Sequence, residues 1–147
     1  MSTYRDILEA VQSRVWALAI ENLPTPSVVL RKDPVYLAEH DPLPLLVISP
    51  VIDGVGELQF NNNGFFEYEV RLTLYHETGV SWALGAWLLD MRQTLRRSLF
   101  TTSLTGASTV FDGRWNPTPL YDVGLLRSGV DVMRMSFTYT SSEAREA

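Results

Sequence analysis

The chain of 147 residues contains no cysteine. That excludes disulfides and thiolate metal sites. Lysine is nearly absent as well, since Lys32 is the single example and every other basic side chain is arginine. With 12 basic against 17 acidic residues the formal charge is −5, and a nucleic-acid-binding surface normally needs clustered Lys and Arg. The most apolar run, LPLLVISPVI, is too short to span a bilayer and is broken by proline. Arg5, Asp6 and Glu9 sit where a secretory signal would need an unbroken apolar core. The GVG at 54–56 lacks the third glycine, the lysine and the following helix of a phosphate-binding loop.

What is present reads as a single domain of 1–147, long enough to bury a core. Tyr4, Ile7, Leu8, Val11, Val15 and Leu18 fall on one face of a first helix, with Thr3 and Asp6 as its capping pair. SVVLR predicts a strand, and LPLLVISPV a central strand, apolar on both sides, up to Pro50. VGELQF, NNNG and FFEYEVRLTLYHE predict a hairpin whose Asn-Gly supplies the positive φ a tight turn needs. In its second arm Phe66, Tyr68, Val70, Leu72 and Leu74 alternate with Glu67, Glu69, Arg71, Thr73 and Tyr75, the mark of a strand with one buried face. A second helix runs from about Ser81 to Phe100 on a stripe of Leu84, Leu88, Met91, Leu95 and Leu99. VDVMRMSFTYT predicts a closing strand, and 141–147 a disordered tail. The expected fold is α+β, two-layered, a mostly antiparallel sheet with two main helices packed on one face. Val70, Leu72 and Leu74 are expected to face Leu84, Leu88, Met91 and Leu95. Trp16 and Trp87 are expected in the core.

Two long loops interrupt this pattern, at about 31–44 and 101–129, the second containing one short strand, ASTVF. The first, RKDPVYLAEHDPLP, carries Tyr36 and Leu37. The second carries Trp115, Tyr121, Leu125 and Leu126. Loops this long in a compact domain are functional or disordered. Their apolar groups need covering, so these six residues are candidates for a subunit interface, with both loops ordered chiefly in an assembly.

No catalytic constellation stands out. His40 lies between Glu39 and Asp41, a trio that could bind a metal weakly but is more simply a solvated loop, since adjacent residues in an extended loop rarely converge on one ion; His76 continues the buried face of the long strand, with no Ser, Cys or Asp partner suggested by a motif. Glu67, Glu69 and Glu77 share a strand face with Arg71 and Thr73, more simply a solvated or partner-facing surface than an acid–base pair. Arg92, Arg96 and Arg97 could grip an anion, although such a row is more commonly a helix's wet face. No catalytic, cofactor-binding or metal-binding residue is assigned.

The layout of short helix, Pro-rich link, LPLLVIS, long amphipathic EYEVRLTLYHE, a helix ending in LRRSLF, a Gly-containing loop and VDVMRMSFTYT resembles the tail terminator and neck proteins of long-tailed bacteriophages. The resemblance covers about residues 4 to 140. It implies a non-enzymatic virion protein that needs no cofactor and is assembled in the host cytoplasm. Six copies would form a homohexameric ring that caps the tail tube, meets the tube protein on one side and the head connector or stopper on the other, and lets DNA pass without specific binding. A membrane has no part in it. A head-completion protein or other neck adaptor, a dimeric adaptor of another kind, and a small-ligand-binding or enzymatic domain are the alternatives.

Overall fold

The computed structural model describes residues 2–51, 57–60, 64–120 and 129–143. The element order is α1 (Thr3–Ala17), a short 3-10 turn (Thr25–Ser27), β1 (Val28–Leu30), β2 (Leu45–Pro50), β3 (Glu57–Phe60), β4 (Phe65–Glu77), α2 (Trp82–Leu99), β5 (Val110–Asn116) and β6 (Val130–Ser142). The strands make one sheet in the order β1-β2-β4-β6-β5, with β3 beside the start of β4. All pairings are antiparallel except β1 with β2.

The sheet is built around β4 and β6, which pair along their whole length from Phe65↔Ser142 to Glu77↔Val130. On the other edge of β4, β3 faces its first residues and β2 faces Val70 to Tyr75. Alternation then decides which face is covered. Tyr68, Val70, Leu72 and Leu74 of β4 and Met133, Met135, Phe137 and Tyr139 of β6 join Ile7, Val11 and Val15 of α1 and Leu88, Met91, Leu95 and Leu99 of α2 in the main core. Leu84 and Trp87 pack at its margin. The helices therefore cover one face, and the expected α+β arrangement is the one found.

The opposite face carries a smaller cluster, Leu45, Val47, Tyr75 and Val132, edged by Val29, Tyr36 and Leu43. Beyond it this face carries an aromatic pair, Phe65 and the exposed Phe111, and polar side chains. Arg114 pairs with Glu67 at 2.7 Å, and Asn116 donates to Ser136 and Thr138.

Several local expectations change. The N-cap of α1 is Ser2, whose Oγ accepts from the Arg5 N–H, while Thr3 donates to Glu143 Oε1 at 2.7 Å. Trp16 is 40 % exposed, because its indole N–H turns outward to the carbonyls of Thr25 and Val28. The strand in the 101–129 stretch is VFDGRWN, not ASTVF. β6 continues through Ser142, so residues 141 and 142 belong to the sheet rather than to a tail. Residues 144–147 lie outside the described residues.

β5 runs close to the core because Gly113 lies opposite Tyr139. A Cβ at Gly113 would sit 2.8 Å from Tyr139 Cε1 and would also collide with the Thr101 carbonyl. The buried Tyr139 hydroxyl donates to the Leu99 carbonyl at 2.7 Å, satisfying an acceptor in the last turn of α2. Gly113→Ala should therefore destabilise the fold by overpacking, by about 1–3 kcal/mol. Leu88→Ala, at a fully buried position, should cost about 2–5 kcal/mol by leaving a cavity. Urea unfolding of the two variants checks both values, and a Leu88→Ala loss below about 1 kcal/mol would place that side chain outside the core.

Candidate functional site

The 31–44 loop is an arm held by one ion pair. Arg31 follows β1 directly, and its guanidinium donates to both carboxylate oxygens of Asp41, at 2.6 and 2.7 Å, and to the Val35 carbonyl at 2.7 Å. Asp41 also accepts from the Leu37 N–H at 2.7 Å, and the N–H groups of His40 and Asp41 donate back to the Leu37 carbonyl. A bidentate Arg–carboxylate pair fixes geometry as well as charge. Tyr36 stacks on Tyr75 with ring centroids 5.6 Å apart, and the Tyr75 hydroxyl donates to the Pro34 carbonyl. These contacts turn Val35 and Leu37 outward, 45 % and 47 % exposed, beside exposed Glu39 and His40.

A second surface lies where α2 meets β5. Trp115 falls opposite Phe137, which puts its indole on the helix face. The guanidinium carbons of Arg96 and Arg92 stand 5.2 and 5.8 Å from its ring centroid, within cation–π range. Arg92 also donates to the carbonyls of Thr118 and Pro119. Burial first, and Arg96 second, hold the Arg92 guanidinium below its ordinary pKa. Next to this stack, Arg96, Arg97, Phe100 and Trp115 line an open hollow of about 450 Å³, with Phe100 57 % exposed at its rim. Arg96 and Arg97 have no carboxylate partner among the described residues.

The interface candidates thus separate. Leu37 is displayed, whereas Tyr36 is a half-buried prop of the arm. Trp115 lies in a strand, not a loop, and packs on the main core, so replacing it would disturb the fold as well as any interface. Tyr121, Leu125 and Leu126 lie outside the described residues. Arg31, Asp41 and Tyr75 hold the arm by contacts within one chain. Arg31 and Asp41 stand ten residues apart, and no sequence spacing links them.

Other polar groups remain dispersed. Among the described residues no group of three His, Asp or Glu side chains is placed to hold a metal ion. Asp41 is engaged by Arg31 rather than by His40. His76 is buried, with Nδ1 3.0 Å from the Glu77 carbonyl and Nε2 without a hydrogen-bond partner among the described residues. It lines a cleft of about 510 Å³ with Leu43, Pro44, Glu77, Leu84 and Trp87. Trp82, 76 % exposed, stands on the far side of Leu84. No protein-family model matches this chain, and no curated protein matches it.

The hydrogen bonds from Arg31 hold the Asp41 carboxyl below the usual carboxylate range. A carboxyl depressed by folding contributes stability that is full above its unfolded pKa, about 3.9, and is lost as pH falls through the lower folded value. Hydrogen exchange at the amides of Leu37, His40 and Asp41 should therefore stay slow down to about pH 4 and be deprotected on further acidification. Asp41→Asn should show the faster exchange already at neutral pH while the β4 and β6 amides keep their protection. Unchanged arm amides in that variant would refute the clamp.

Proposed function

We propose that the protein is a structural subunit of a bacteriophage tail or neck, a tail terminator in which six copies close into a ring through head-to-tail contacts. The order α1-β1-β2-β3-β4-α2-β5-β6 agrees with the layout on which the resemblance rests. The observation that carries the reading is that, among exposed apolar groups that also include Trp16, Val80, Trp82, Leu89 and Phe111, two sets beside charged side chains lie on different sides. Val35 and Leu37 project from an arm rooted between β1 and β2, on the face away from the helices. Phe100 projects beside β5, on the helix face. A head-to-tail ring needs two different patches on different sides of one subunit.

In this assembly the ring caps the tail tube, contacts the tube protein and the head connector or stopper, and surrounds DNA without reading it. A net charge of −5 suits a channel that must not hold back a polyanion. Among the described residues no helix is long and apolar enough to cross a membrane; location in the virion belongs to the proposal. A head-completion or other neck adaptor of the same particle would use the same surfaces.

A second reading, a small-ligand-binding domain, is favoured by the cleft at His76, whose volume of about 510 Å³ lies in the usual range for ligand pockets. Electron microscopy and native mass measurement on concentrated protein, alone and with tail tubes, separate the two. Rings of six subunits around a DNA-sized channel are expected. A two-fold dimer with the arm and the Phe100 rim both facing solvent, or a monomer that leaves tube length uncontrolled, would refute the ring. Ligand-dependent shifts in melting temperature, lost in His76→Ala, would favour the second reading.

A further inference from the structure

Arg92, Arg96 and Arg97 lie within two turns of one helix in a chain of net charge −5, and two of them crowd onto one indole. Like charges brought together cost free energy unless a counter-charge is supplied. Arg92 is committed to the carbonyls of Thr118 and Pro119, but Arg96 and Arg97 are not neutralised by any described carboxylate. Phe100 and Trp115 make the adjoining hollow apolar. The surface therefore asks for an apolar side chain with a carboxylate close behind it.

The arm of the same chain has that composition. Beyond its clamp it presents Val35, Leu37 and the exposed Glu39 beside exposed His40, while Lys32 is exposed and Asp33 half-buried near its start, five and four residues before Leu37. It cannot reach the hollow of its own subunit. The arm lies under β2 and β4 on the face away from the helices, whereas the hollow lies beside β5 on the helix face. With neighbouring strands about 4.8 Å apart, the four spacings from β1 to β5 separate the two edges by roughly 19 Å, and the sheet itself stands between the two faces. A second copy can bring them together.

We propose that the arm of one copy docks into the Arg96–Arg97–Phe100–Trp115 hollow of the next, with Leu37 against Phe100 and the Glu39 carboxylate on Arg96 and Arg97. This inference rests on the ring reading and names the contact that propagates it. The clamp matters here, because an arm already fixed by Arg31 and Asp41 loses little conformational entropy on docking. The Arg-rich hollow supplies the charge complementarity that selects this end of the neighbour.

The absence of native cysteine allows a direct test. Ala38→Cys, Gln93→Cys and the double variant change exposed neighbours of the docking residues and leave Glu39, Arg96 and Arg97 in place; they are treated with a short bismaleimide at high protein concentration, after circular dichroism and melting have verified their folding. The double variant should give a ladder of covalent oligomers in denaturing gels, ending at six. Each single variant should give no more than a trace of dimer, because head-to-tail docking never brings two copies of the same position together. Raising the salt should weaken the ladder by screening, and adding Arg96→Glu to the double variant should reduce it to the level of the singles. A folded double variant that cross-links no better than the singles overturns the docking, as does a ladder indifferent to Arg96→Glu. Rings seen by microscopy without that cross-link would sink the docking and leave the proposed function standing. A ladder running well past six, with filaments and no rings, would retain the docking and sink the hexameric ring.

Discussion

The pairing of β4 with β6 is the constraint on which the other parts hang. Thirteen residues of each strand are matched in register, and side chains alternate across the sheet, so the ladder assigns every one of them to a face. Val70, Leu72 and Leu74 must then be covered together with Met133, Met135 and Phe137, and the two helices do so. The same register puts Tyr75 beside Val132 on the other face, where the arm finds its footing. A slip by one residue would turn the apolar rows outward and remove Tyr75 from beneath Tyr36. The position of Trp115, and with it the arginine stack, also descends from this ladder, because β5 is placed by its pairing with β6.

Periodicity made the helices and the long strands readable in the residues themselves. Ile7, Val11 and Val15, or Leu88, Met91, Leu95 and Leu99, are separated by helical spacings that few other structures use. The alternation in FFEYEVRLTLYHE is equally direct, and Gly64, just before it, has a φ of +77°. β5 was less legible for a physical reason. Its register shifts between Val110 and Asp112, which breaks the alternation, and Gly113 offers no side chain where the strand passes Tyr139. Trp16 misled because an indole can sit beside an apolar stripe and still turn its N–H to carbonyls outside the core.

The candidate surfaces were only partly visible for a different reason. Loop length and exposed apolar residues pointed to the 31–44 arm, and Leu37 is displayed there. The clamp that shapes the arm joins residues ten apart, and no local period announces it. Arg92, Arg96 and Arg97 read as a solvated helix face because Trp115, the partner of Arg92 and Arg96, comes from a strand whose place in the sheet the residue pattern did not reveal. The surfaces that matter most are thus assembled from segments distant along the chain.

The central ladder also has a consequence for how the chain reaches this state. Its two strands are joined by 52 intervening residues, from Thr78 to Gly129, and α2 and β5 lie between them. Closing a loop of that length precedes any gain from the pairing, which slows folding relative to a fold made of local contacts. During synthesis β4 emerges with β2 and β3 available on one edge, while its other edge stays open until β6 has been made. An amphipathic strand of thirteen residues with one open edge is a template for pairing with another nascent chain. That interval makes the yield of folded chains sensitive to the rate and crowding of translation, even though the finished ladder leaves β4 with neighbours on both sides.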